Sequence, residues 1–119
     1  MAQINLLGVL NTEKGLDAFA VQFFEIIGAS QFEERESSNY VDGRYFRGSI
    51  NEATFTISLA DDGGNEDLPF RIFIDSDELD FATLLSTIDE IVRSKNISVN
   101  FRFARIRDLG TLDECRIDY

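Results

Sequence analysis

Apolar and polar residues alternate through Phe55, Ile57 and Leu59, with Thr54, Thr56 and Ser58 between them, and the alternation returns at Leu68, Phe70, Ile72 and Ile74. A period of two is that of a half-buried strand. The two runs flank the acidic loop Asp61-Asp62-Gly63-Gly64-Asn65-Glu66-Asp67, so Ala53 to Asp75 reads as a long-looped hairpin. Pro69 has no N–H for a ladder bond and marks a bulge or an open edge.

The helical period appears twice. Leu16, Phe19, Ala20, Phe23, Phe24 and Ile27 share one face of a first helix, with Asn11 or Thr12 as cap, Glu13 at its positive end and Gly28 as its stop. Phe81, Leu84, Leu85, Ile88, Ile91 and Val92 share one face of a second, capped by Ser76 or Asp77 and closed by Asn96. Phe32 to Val41 reads as a polar strand, Asp42-Gly43 as a tight turn, Arg44 to Ile50 as the next strand and Asn51-Glu52 as the following turn. Ile97, Val99, Phe101 and Phe103 predict a last strand, while Ile4 to Leu10 lacks a clear period and fits either a short strand or the lead-in to the first helix. Arg107 to Tyr119 reads as a polar tail.

These elements predict one domain over residues 1–119, a two-layer α+β fold. A mostly antiparallel sheet of about five strands, in the order α-β-β-β-β-α-β, packs on two amphipathic helices. In such a meander the Asp42-Gly43 turn and the 61–67 loop share one end of the sheet. The Asn51-Glu52 turn and the 75–80 segment share the other, about 20 Å away at ~3.3 Å per residue.

Composition changes this picture mainly through charge. Eleven Lys and Arg stand against 22 Asp and Glu, a net charge of −11, which disfavours nucleic acid and anionic membranes and favours a basic partner. With 44% hydrophobic residues and eleven Phe, the chain has the material for a core. The single Cys115 excludes an internal disulfide, and no apolar run reaches the length of a membrane span, so a cytoplasmic location is expected.

Candidate chemistry is sparse. The absence of histidine removes Ser-His-Asp and Cys-His pairs, and the acids beside Cys115 disfavour its thiolate. Gly63-Gly64 sits among acids that repel phosphate, and twelve-residue calcium-loop frames begun at Asp61 or Asp75 put the wrong residues at the required positions. No catalytic residue, metal site or cofactor is assigned, and an enzyme is not expected.

What remains is surface. Asp42, Asp61, Asp62, Glu66 and Asp67 gather at one end with only Arg44 and Lys95 near, which nominates that end for a cationic partner, although Asp and Gly equally suit a solvated turn. At the other end Glu33, Glu34, Glu36, Asp75, Asp77, Glu78 and Asp80 are expected to meet Arg102, Arg105 and Arg107. Tyr45, Arg47, Arg71, Phe73 and Arg102 alternate with core positions and form a second candidate surface of residue types enriched at interfaces.

In size, acidity and α+β order, from Leu16-Asp17-Ala18-Phe19 through Asn100-Phe101-Arg102-Phe103, the chain resembles the immunity proteins that bacteria pair with toxin domains, including those of contact-dependent inhibition. The resemblance implies binding and neutralisation of a basic toxin domain, in some cases a nuclease. It lies in overall character, so no residue role carries over. A small acidic homodimeric secretion chaperone is the alternative.

Overall fold

The computed structural model describes residues 1–12, 15–29, 31–60 and 64–119, with the side chains of Val41 and Asp42 also outside the description. The class is the expected α+β, with more elements than the sequence pattern suggested. Seven strands form one sheet: β1 (Ala2–Leu10), β2 (Phe32–Glu36), β3 (Val41–Ile50), β4 (Ala53–Leu59), β5 (Phe70–Ser76), β6 (Phe101–Arg107) and β7 (Cys115–Asp118). Three helices join them: α1 (Leu16–Ile27), α2 (Phe81–Arg93) and the single turn α3 (Lys95–Ser98).

The spatial order is β2-β3-β4-β5-β1-β6-β7, and every neighbouring pair is antiparallel. The first strand of the chain therefore lies inside the sheet, between β5 and β6. Its missing period follows from that position. Ile4, Leu6 and Leu10 face the helices, while Leu7 is buried on the opposite face, so both parities are apolar.

The predicted hairpin forms with Phe55 opposite Ile74, Ile57 opposite Ile72 and Leu59 opposite Phe70. Leu68 departs from it. It turns onto the other face and joins Leu7, Ala104 and Ile106.

Five further boundaries differ from expectation. The β2–β3 turn runs through Ser37–Tyr40, and Gly43 (φ 70°) lies inside β3, where the register shifts between Val41 and Phe46, as a bulge glycine does. Helix α1 starts after Gly15 with no side-chain cap, and the Asn11 N–H instead donates to Asn100 O at 2.8 Å. Glu13, expected at its positive end, lies outside the described residues. Helix α2 is capped by Asp80, whose Oδ1 accepts from Thr83 N–H at 2.8 Å. The Ser76 hydroxyl is occupied elsewhere, donating to Glu52 O and accepting from the N–H groups of Glu78 and Leu79. At the far end of α2 Ser94, rather than Asn96, caps the helix. Ile97 is buried from the α3 turn, so the strand predicted to begin there starts at Phe101.

The core lies between the helices and one face of the sheet. Phe19, Phe23 and Phe24 of α1 meet Phe55, Phe70, Phe101 and Phe103, with the Phe19 and Phe70 rings 4.6 Å apart. Leu84, Ile88 and Val92 bring α2 onto the same face, while Phe81, expected there, is 48% exposed at the helix start. The opposite face carries only the small cluster around Leu7, Leu68, Ala104 and Ile106, to which no helix residue contributes among those described.

Candidate partner-binding surface

Because side chains alternate along each strand, the pairing register fixes what stands on the face that the helices leave open. One row across it runs Glu33, Arg47, Thr56, Phe73, Asn5, Ile106 and Arg116. The next contains Arg35 opposite Tyr45, then Ser58 opposite Arg71, with Leu7 beyond. All five residues nominated from sequence for the outer surface, Tyr45, Arg47, Arg71, Phe73 and Arg102, thus share one face, Arg102 standing opposite Val9. Thr56 and Ser58 stand on that face yet are only 7% and 4% exposed. Their neighbours Arg47, Arg71 and Phe73 are long enough to lie over them.

The left part of this face is further ordered by local pairs. The Tyr45 ring stacks on Tyr40 with centroids 4.4 Å apart, and the Arg35 guanidinium binds the Glu33 carboxylate. Glu33 and Tyr45 together hold the Arg35 pKa above its ordinary value. Arg44 points to the other side of the sheet, where it pairs with Asp17 of α1 at 2.6 Å and with Glu34 at 2.9 Å.

The acidic loop is a different matter. Asp61 and Asp62 lie outside the described residues, as does the Asp42 side chain. Glu66 turns onto its own loop: its carboxylate accepts from Gly64 N–H at 3.1 Å, and the backbone N–H groups of Glu66 itself and of Gly64 hold its pKa below the usual range. Asp67 accepts two parallel bonds from Arg116, at 2.9 and 2.8 Å, with Arg102 3.4 Å away. Arg116 also reaches Asn65 at 3.2 Å and Asp118 at 2.8 Å. The Arg116 hydrogen bonds hold the Asp67 carboxyl down to about 2. The pair clips the 64–69 segment across the open face above Leu7 and Ile106. Asp67 is therefore a fastening of the fold, and its charge is already answered.

The expectation for the opposite end is reversed. Arg102 lies near the loop end because β6 starts beside Leu10 and runs away from it. Arg107 stands beside Asp108 at 3.5 Å. Among the described residues Glu52, Asp75, Asp77 and Glu78 make no ion pair, and they line a shallow recess of about 270 Å³ with Ser49, Thr54 and Ser76. Four acids without an ion pair among the described residues thus stand together at the Asn51-Glu52 end. Asp75 extends them onto the open face, two positions along β5 from Phe73.

Sequence reasoning missed the Arg116 clip because a four-residue strand in a polar tail leaves no periodic signal. It missed the free acids because two of the arginines expected to meet them, Arg102 and Arg107, stand beside Asp67 and Asp108 instead. Among the described residues no group of three or more Cys, Asp or Glu side chains is placed to hold a metal ion, and no helix is long and apolar enough to cross a membrane. No protein-family model, no curated protein and no solved structure matches this chain.

Proposed function

We propose that this is a non-enzymatic acidic binding protein that captures and neutralises a basic protein, of the kind a toxin domain presents, with the open sheet face as its docking surface. The observation that carries the reading is the placement of Tyr45, Arg47, Arg71 and Phe73 side by side on a face without a helix layer. Aromatic and Arg side chains dominate the energetics of protein interfaces. The net charge of −11 steers a cationic partner toward the surface, and the acids at the Asn51-Glu52 end, continuous with this face through Asp75, give that steering a direction.

The reading separates two kinds of residue by their kinetics. Phe73→Ala with Arg47→Ala should weaken binding of the captured basic protein about tenfold or more, mainly through faster dissociation. Reversing Glu52 and Asp77 to Lys should instead slow association and flatten its salt dependence. Surface plasmon resonance against the partner recovered by affinity capture measures both. If both double variants bind as the unaltered chain does, the open face is not the docking surface.

A further inference from the structure

The two edges of the sheet are built differently. Edge strand β2 carries Glu33, Glu34, Arg35 and Glu36 in succession, all exposed, and a charged edge resists pairing with another edge. Edge strand β7 is built otherwise: its four residues carry one charge of each sign, on Arg116 and Asp118, flanking Ile117. It presents Cys115, Arg116, Ile117 and Asp118, with Ile117 36% exposed on the helix side of the sheet. The Tyr119 N–H donates to Phe103 O, so by alternation the main-chain groups of Cys115, Ile117 and Tyr119 point toward β6. Those of Arg116 and Asp118 point outward, and among the described residues the Arg116 carbonyl accepts from the Cys115 thiol alone, at 3.8 Å.

We propose that β7 pairs antiparallel with β7 of a second copy of this chain about a two-fold axis at Ile117, joining two sheets into one. The register follows from the residues. An axis at Ile117 sets it against its own counterpart in a non-hydrogen-bonded pair, and sets Arg116 against Asp118 of the second copy on the other face. Every outward main-chain donor and acceptor of Arg116 and Asp118 then finds a partner, and opposite charges face each other twice. An axis at Arg116 would set two guanidinium groups against each other and leave Ile117 opposite Cys115. The apolar recess along α2, lined by Ala82, Leu85, Ser86, Asp89, Glu90 and Arg93, lies on the Ile117 side. It reaches β7 through Tyr119, whose hydroxyl donates to Asp89 and whose ring lies under Arg93.

So short an edge gives a weak, concentration-dependent dimer. Sedimentation equilibrium of the unaltered chain across the micromolar to millimolar range should show it. Ile117→Asp, which places two like charges on the axis, should raise the dissociation constant about tenfold or more while circular dichroism stays unchanged.

Cross-linking tests the register independently of any effect on folding. Ile117→Cys in a Cys115→Ser background should form an interchain disulfide on oxidation, because residues in such a pair lie within bridging distance. The unaltered chain should not, since its Cys115 faces Tyr119 of the second copy and lies about 13 Å from the other Cys115. A chain that stays monomeric throughout, an Ile117→Cys variant that fails to cross-link, or a dimer linked through Cys115 would each overturn the proposal. None of these outcomes bears on whether the open face binds a basic protein.

Discussion

The two faces of the sheet carry residues of similar bulk and opposite consequence. On the helix side, seven phenylalanines from α1, β4, β5 and β6 exclude water from one another, and each is at most a few per cent exposed. On the open side, Phe73 and Tyr45 stand among arginines and threonines, and a small apolar cluster is held under the 64–69 segment by the Asp67–Arg116 pair. Stability is concentrated in one layer. On the open face, truncating a partly exposed ring leaves a smaller cavity.

The sharpest way to break this contrast is a pair of identical truncations. Phe19→Ala should cost about 3–5 kcal/mol, since the ring is fully buried against Phe70, Phe101 and Phe103. Phe73→Ala should cost a small fraction of that. Urea denaturation of both measures the ratio, and comparable losses would refute the division of labour between the faces.

A smaller effect probes the same layer from its backbone. A Cβ on Gly48 would lie 2.8 Å from Phe24 Cε1 and 2.9 Å from Phe32 Cβ, beneath rings stacked 4.8 Å apart. Gly48→Ala should therefore destabilise by about 1–3 kcal/mol through overpacking, read as a lower thermal midpoint. An unchanged midpoint would mean that the β2 edge gives way easily.

The smallest effect belongs to the open face. The carboxyl of Asp67 is held at about 2 in the folded protein, against an unfolded value near 3.9. Its contribution to stability is thus fully present above about pH 4 and is lost as the pH falls through about 2. The gap in stability between the unaltered chain and Asp67→Asn should be widest above pH 4 and close on acidification. A gap independent of pH would show that the pair adds no charge-dependent stability.

Much of the layer architecture was legible before any coordinates. Alternation at Phe55–Leu59 and Phe70–Ile74, and the 3.6-residue rhythm of Leu16–Ile27 and Phe81–Arg93, report burial on one side, which a local pattern records directly. β1 was ambiguous because a strand buried on both faces has no alternation to read. β7 was missed because four residues are too few for a period. The turn at Ser37–Tyr40 was misplaced because Asp42-Gly43 carries a turn signal that the chain uses for a bulge instead. That Tyr45, Arg47, Arg71, Phe73 and Arg102 share a face was legible, since facing within a strand follows from parity. Asp67 was misjudged because its partner, Arg116, lies 49 positions away in the chain.

The sequence by itself determined the α+β class, the two amphipathic helices, the aromatic core and the excess of negative charge, because each depends on residue type and local spacing. Tertiary structure alone decided that the first strand lies inside the sheet, that a remote arginine answers Asp67 and that Glu52, Asp75, Asp77 and Glu78 gather at one end without an ion pair. Those outcomes depend on which strands become neighbours. Pairing between distant segments is settled by the packing of the whole chain, and no local pattern encodes it.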